Sequence, residues 1–247
     1  ILVLPASLVG GGTFNTASNS HSVVLGGKNN TSSGEFTTLA GGFSGTASGN
    51  CSTVTGGIFN RACGTFSTVG AGRLNEAGGT YAFVGAGSTN IASGSCSTIA
   101  GGRLNVACGG GSIIGGGLGN TSLSANNVIG GGFFNTTAGN ATFIGGGIKN
   151  IINSNDSGIL GGNHNELSAA ADKSFIIGNA LSGNEPNTLY TENVSVQGNL
   201  SATGSIYGSI YSIWAEEAAD VDDNSNEWSF GNGDDTPAAH GIPIAFK

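Results

Sequence analysis

The stretches Ser52-Thr-Val-Thr-Gly-Gly-Ile-Phe-Asn-Arg-Ala-Cys-Gly64 and Ser97-Thr-Ile-Ala-Gly-Gly-Arg-Leu-Asn-Val-Ala-Cys-Gly109 are two copies of the unit that decides the fold. The unit begins at Ser7 and recurs every 15 residues, eleven times in all, with the pattern S-T-[VI]-x-G-G-x-x-N-x-A-x-G-x-x. Position 3 is aliphatic and position 6 is glycine in every copy, and position 9 is asparagine except at Gly45. A short repeat sustained without gaps indicates a stacked, solenoid-like architecture.

Each unit predicts one coil of a parallel β-solenoid, because an aliphatic stretch followed by Gly-Gly is typical of a short strand entering a tight turn. We therefore predict an all-β fold, a β-roll of 15-residue coils. About twelve coils paired about 4.8 Å apart would give a rod roughly 55 Å long. Residues at the same position then form a column along the rod: column 3 predicts an aliphatic core and column 9 an asparagine ladder. We expect left-handed backbone at positions 6 and 9, which glycine and asparagine tolerate.

The apolar residues of the repeat exceed what one core stripe needs. Coils of 15 residues enclose little volume, yet positions 2, 7 and 8 also carry many apolar side chains. A second apolar face is typical of a protein interface, although some of these side chains could instead complete the core of their own coil. We predict a homotrimer whose interface residues are Phe14, Phe59, Phe83, Phe133, Phe134 and Phe143.

The repeat resembles a known family. The units that begin at Ser52 and Ser97 are similar to the YadA-type head repeats of trimeric adhesins and of many bacteriophage tail fibres, over about residues 7–180. This chain departs from the family in its 15-residue length and its Gly-Gly pair. The resemblance implies a left-handed parallel β-roll, three chains side by side, and an adhesive surface without catalysis.

Charge divides the chain where the repeat ends. Residues 1–185 carry six basic and six acidic side chains, whereas residues 186–247 carry nine acidic side chains and only Lys247. We predict a solenoid shaft over residues 1–185, a short β-rich neck over 186–213 and an acidic, aromatic tip over 214–247. The excess negative charge argues against binding of nucleic acid or anionic lipid. No apolar run reaches the roughly 18 to 20 residues of a membrane span, so membrane insertion is not predicted.

A neutral repetitive shaft joined to a distinctive end predicts a structural and adhesive fibre protein and not an enzyme. The favoured hypothesis is the shaft and receptor-binding end of a viral (phage) tail fibre, located in the virion. The alternative is the head domain of a bacterial trimeric adhesin on the extracellular cell surface. Two further hypotheses rank lower: a glycan-depolymerising tailspike with paired carboxylates, and an ice-binding solenoid, prompted by the column of Thr38, Thr53, Thr68 and Thr98.

The predicted partner is a host cell-surface receptor, with a glycan favoured. Aromatic faces stack on sugars, and carboxylate or amide oxygens accept hydroxyl protons. The candidate binding residues are Trp214, Trp228, Tyr207, Tyr211 and Phe230.

Calcium is a weaker hypothesis, and no other cofactor is predicted. Asp220, Asp222 and Asn224 alternate like the first ligands of a calcium loop. The glycine and glutamate expected later in such a loop are replaced by Ser225 and Gly231, so bland solvation of these side chains is the favoured interpretation.

The four cysteines follow the repeat. Cys51 and Cys96 are at position 15, and Cys63 and Cys108 at position 12. Like pairs lie three coils, or about 14 Å, apart, which is too far for a disulfide. A disulfide between a position 15 and the next position 12 remains an alternative to the expected small buried thiols.

Overall fold

The computed structural model describes residues 6–192, which form a parallel β-solenoid of about twelve coils. Its strands, β1 to β25, are two or three residues long and alternate between two parallel sheets, so each coil contributes one strand to each sheet. Residues 6–192 contain no helix, and therefore none long and apolar enough to cross a membrane. The predicted all-β solenoid is confirmed.

The first sheet contains the odd-numbered strands and the second sheet the even-numbered ones. The first comprises β1 (Leu8–Val9), β3 (Val23–Val24), β5 (Thr38–Leu39), β7 (Thr53–Val54), β9 (Thr68–Val69), β11 (Phe83–Val84), β13 (Thr98–Ile99), β15 (Ile113–Ile114), β17 (Val128–Ile129), β19 (Phe143–Ile144), β21 (Gly158–Ile159), β23 (Phe175–Ile177) and β25 (Leu189–Thr191). The second comprises β2 (Thr16–Ala17), β4 (Thr31–Ser32), β6 (Thr46–Ala47), β8 (Arg61–Ala62), β10 (Glu76–Ala77), β12 (Ile91–Ala92), β14 (Val106–Ala107), β16 (Thr121–Ser122), β18 (Thr136–Thr137), β20 (Ile151–Ile152), β22 (Glu166–Leu167) and β24 (Ser182–Gly183).

The pairing register confirms the 15-residue coil. Strand residues pair with the residue 15 later, from Leu8↔Val23 to Phe143↔Gly158, and bridges in column 7 add a third ladder. The spacing changes only at the end, where Gly158 pairs with Phe175 and Phe175 with Leu189. Solenoid pairing thus reaches Thr191, beyond the predicted end of the shaft at residue 185. The predicted neck at 186–213 lies mostly, and the tip at 214–247 wholly, outside the described residues.

The core consists of two inward columns that face each other across the coil. Column 3 supplies the aliphatic side chains, as predicted, and column 11 supplies alanine in most coils, whereas the tenth and eleventh coils bury large aliphatic side chains in both columns. The buried apolar members of the two columns are Val24, Leu39, Val54, Val69, Val84, Ile99, Ile114, Ile129, Ile144, Ile159, Ile176, Ala47, Ala62, Ala77, Ala92, Ala107, Ile152 and Leu167.

Column 9 forms the predicted asparagine ladder inside the solenoid. The Asn75 Nδ2 group donates to the carbonyl of Ala71 in its own coil at 2.8 Å and to the carbonyl of Gly87 in the next coil at 2.9 Å. Its Oδ1 accepts the backbone N–H of Asn90 at 3.0 Å. One buried amide therefore satisfies three backbone groups, which would otherwise be costly to bury.

The expectation of left-handed backbone at position 9 is wrong. Column 6 has positive φ angles, as predicted for its glycines. Further positive φ angles lie in columns 8 and 15, where non-glycine residues have φ of +52° to +60°. Asparagine is needed at position 9 for the donor and acceptor of its amide, and its tolerance of left-handed backbone is not used. The bends fall on the residues beside it.

Glycine in column 6 is required for two reasons, its backbone conformation and the closeness of the next coil. Gly57 has φ +93°, and a Cβ there would overlap the carbonyl oxygen of Gly72 in the next coil. Gly56, the preceding residue, has open space around the same position, with no atom within 4 Å. Two adjacent glycines in one turn therefore have different structural requirements.

We expect Gly57→Ala to lower the free energy of unfolding by about 3 kcal/mol, because it adds a left-handed alanine and a steric overlap. The matched change Gly56→Ala has neither penalty and is expected to leave stability equal or higher by up to about 1 kcal/mol. Urea denaturation of both variants measures the difference. Equal losses would contradict the assigned turn geometry.

The single interruption of the ladder gives a second test. Gly45 offers no amide oxygen to the backbone of Asn60, while a Cβ at Gly45 would lie 3.2 Å from Asn30 Oδ1 and 3.4 Å from Leu39 Cδ1. Because other coils hold asparagine in the same column, we expect Gly45→Asn to complete the ladder and stabilise the protein by about 1 kcal/mol. The melting temperature of Gly45→Asn is compared with that of Gly45→Ala in thermal denaturation. An equal increase for the alanine variant would show that the amide contributes nothing to stability.

Candidate functional site

The surface of the solenoid is organised in columns, and the large apolar side chains lie in the outward ones. Columns 2 and 4 face outward from the first sheet, columns 10 and 12 from the second, and columns 7, 8 and 15 lie at or beside the bends. Phe14, in the first coil, is 78% exposed, and the other predicted interface residues are 39–45% exposed. For these six phenylalanines the alternative, that they complete the core of their own coil, is wrong.

The six phenylalanines lie on two separate ridges. Phe83 and Phe143 are on the first sheet in column 2, which we call the column-2 ridge. The other four (Phe14, Phe59, Phe133 and Phe134) lie in columns 7 and 8, which together form the column-7/8 ridge.

The column-7/8 ridge is an ordered apolar surface. The rings of Phe133 and Phe134 meet edge to face at 4.7 Å, and those of Phe43 and Phe59 at 5.5 Å. The Lys28 ammonium lies 6.0 Å from the centre of the Phe43 ring. Such edge-to-face and cation contacts hold the rings in place while leaving part of each exposed.

Column 8 carries large side chains on left-handed backbone. Phe59, Leu74 and Phe134 have φ of +54° to +55°, a conformation that costs a residue with a Cβ about 1–2 kcal/mol. Glycine or asparagine would avoid much of this cost. The apolar side chains at these bends are therefore not explained by the backbone, and they remain 43–45% exposed.

A third outward column carries stacked aromatic rings that the sequence analysis did not single out. His21 stacks on Phe36 with ring centres 4.7 Å apart, and Phe66 stacks on Tyr81 at 4.9 Å, both pairs nearly parallel. All four residues are at position 15, in the first and second coils and in the fourth and fifth coils, with Cys51 at that position in the third coil. The signal in the sequence is that the two rings of each pair are 15 residues apart, a spacing that in-register stacking places face to face.

The cysteines are free, and the expectation of buried thiols is wrong. Cys51 and Cys63 are half-buried, and Cys96 and Cys108 are exposed. The reason is that columns 12 and 15 face outward on either side of a bend. The alternative disulfide between positions 15 and 12 is not formed.

Charged groups are sparse on the surface of the described solenoid, and most of its polar side chains are neutral. Thr38, Thr53 and Thr68 pair in register in column 2, where Phe83 follows them. Arg61 and Glu76 form an ion pair at 3.2 Å across adjacent coils, partly exposed and so contributing little to stability. Between residues 6 and 192, no three His, Cys, Asp or Glu side chains are grouped to hold a metal ion.

Two predicted sites lie outside the described residues. These are the aromatic binding residues Trp214, Trp228, Tyr207, Tyr211 and Phe230, and the weak calcium site of Asp220, Asp222 and Asn224. Both stay predictions from the sequence.

Neither the protein-family models nor the curated proteins compared with this chain match it.

Proposed function

We propose that this protein is a structural and adhesive fibre protein, the shaft and receptor-binding end of a phage tail fibre carried on the virion. Three copies associate side by side through their solenoids, and the C-terminal segment binds a receptor on the host cell. The observation that carries the proposal is the presence of two exposed apolar ridges along a shaft with no net charge. Exposed apolar surface of this extent is typical of a protein interface.

The solenoid is suited to act as a spacer. Each coil contacts only its neighbours, so the length of the rod follows from the number of coils, and about twelve coils at 4.8 Å give roughly 55 Å. The paired sheets and the asparagine ladder connect every coil to the next. A shaft of this kind can hold a binding segment away from the particle that carries it.

Recognition is assigned to the C-terminal segment because its composition differs from that of the shaft. Residues 186–247 contain all eight net negative charges and both tryptophans. Aromatic rings with neighbouring carboxylate and amide oxygens form a combination that binds neutral sugars. A bacterial adhesin head, the second candidate, would instead bind through the solenoid, whose stacked aromatic column offers an exposed surface.

We expect light scattering on the purified full chain to give about three times its mass of 24.2 kDa. Phe133→Asp is expected to shift the protein towards monomer, because a charge buried unpaired in an apolar interface costs several kcal/mol. The matched control is Tyr81→Asp, an exposed aromatic residue outside both ridges, which is expected to remain trimeric. A stable monomer of the parent chain would contradict the trimer.

The receptor assignment is tested by transfer. Residues 186–247 grafted onto an unrelated trimeric shaft are expected to carry binding to host bacteria or to an immobilised glycan with them, and Trp228→Ala in the graft is expected to reduce it. The measurement is binding of fluorescently labelled protein to whole cells and to a glycan array. Binding that stays with residues 1–185 would overturn the assignment and favour the adhesin head.

A further inference from the structure

Column 5 contains only glycine and alanine, although the fold of a single chain does not require residues this small. It contains glycine in nine coils and alanine, at Ala71 and Ala86, in the other two. None of these glycines has a left-handed φ. A Cβ would have no atom within 4 Å in eight of the nine coils: Gly11, Gly26, Gly41, Gly56, Gly101, Gly131, Gly146 and Gly161. A larger residue would therefore fit the isolated coil.

Glycine is an unfavourable choice where it is not required, since it leaves the unfolded chain more conformational freedom than any other residue. Within a strand-rich element, such a glycine typically marks a place where another backbone or a ligand approaches closely. Column 5 lies between the column-2 ridge and the column-7/8 ridge along each coil. Exposed apolar side chains lie on both sides of it, including Phe83 on one ridge and Ile58 and Phe59 on the other.

The residue in column 5 can be compared with those in columns 7 and 8 coil by coil. From the third to the tenth coil, every coil except one has a large apolar side chain in column 7 or 8. The exception is the sixth coil, which has Ser88 and Thr89 there. That coil also holds Ala86 in column 5, so the space above the backbone is reduced where the opposing side chain would be smaller. The match in the sixth coil is expected if equivalent coils face each other, whereas the fifth coil combines Ala71 with the larger Leu74.

We propose that the column-7/8 ridge of one copy packs against the glycine column of a second copy, with the two solenoids parallel and in register. The inference rests on the proposed trimer and specifies its interface. Both surfaces repeat with the same axial spacing, so each coil lies opposite its equivalent in the second copy. Two different patches on each copy form a heterologous contact, the type that closes into a ring of three.

The size of this surface fits a stable assembly. A contact about 55 Å long and about 12 to 15 Å wide covers about 660–825 Å² on each copy, and the upper end of this range reaches the roughly 800 Å² per partner of a standard interface. The ridge also carries the basic residues Lys28, Arg73, Arg103 and Lys149. Their aliphatic stems can cover apolar surface while the charged groups stay at the solvated rim.

The first test adds a large side chain to column 5, where the fold of the coil leaves space for it. Gly101→Leu is expected to keep the β-sheet circular dichroism spectrum of the parent but to weaken trimerisation at least tenfold in analytical ultracentrifugation. Gly101→Ala is expected to assemble normally, because alanine occurs in column 5 at Ala71 and Ala86. Ser95→Leu adds the same leucine at an exposed turn in column 14 and is the control. If Gly101→Leu assembles as well as Ser95→Leu, the proposed interface is wrong, whereas a monomeric parent would contradict the trimer itself.

The second test measures the register between neighbouring copies by disulfide cross-linking. It does not depend on a variant that weakens assembly. In chains whose four native cysteines are replaced by serine, Gly101→Cys and Leu104→Cys chains with different tags are co-refolded and oxidised. Because both positions lie in the seventh coil, a disulfide between the two tagged chains is expected. Gly56→Cys paired with Leu104→Cys lies three coils, about 14 Å, out of register and is expected to give none. Efficient cross-linking of the second pair, or none of the first in a trimeric protein, would overturn the in-register contact.

Discussion

The hydrogen bonds of the buried column-9 asparagines are the interaction on which the rest of the structure depends. A coil of 15 residues must bend several times within a short length, and each bend turns backbone groups away from the sheet ladders. The Asn75 amide, like its equivalents, binds a carbonyl of its own turn, a carbonyl of the next coil and the N–H of the next asparagine. Because buried backbone groups must be paired, this amide fixes both the shape of the turn and the spacing of 15.

Once the register is fixed, the surface of the shaft becomes a set of columns. A side chain such as Phe59 or Phe134 is then one element of a ridge, and its effect depends on the residues one coil above and below. The same stacking places Phe66 on Tyr81 at 4.9 Å. Apolar ridges with a few polar interruptions follow from local repetition, and we propose that they allow the solenoids to assemble along their length.

Columns 5 and 6 are adjacent in one turn, and we infer that glycine is needed in them for different reasons. Column 6 is glycine because the next coil occupies the space of a Cβ and because φ is near +90° at residues such as Gly57. Column 5 is glycine although the chain itself leaves that space open, as at Gly56. We interpret the first as a requirement of the coil and the second as a requirement of a neighbouring copy. The proposed division of labour, a shaft that assembles and an acidic end that binds, is consistent with the distribution of charge in the chain.

The sequence by itself determined the coil length, the parallel stacking, the column-3 core and the glycine requirement at position 6, because a strict period places like residues over like. It also predicted the asparagine ladder, but for position 9 it assigned the wrong backbone conformation. Only the tertiary structure decided that the bends fall at positions 8 and 15, that the cysteines face outward, and that the six phenylalanines form two ridges. The physical reason is that the direction of each outward side chain depends on where the coil bends, and the bends depend on hydrogen bonds between coils that no single unit contains.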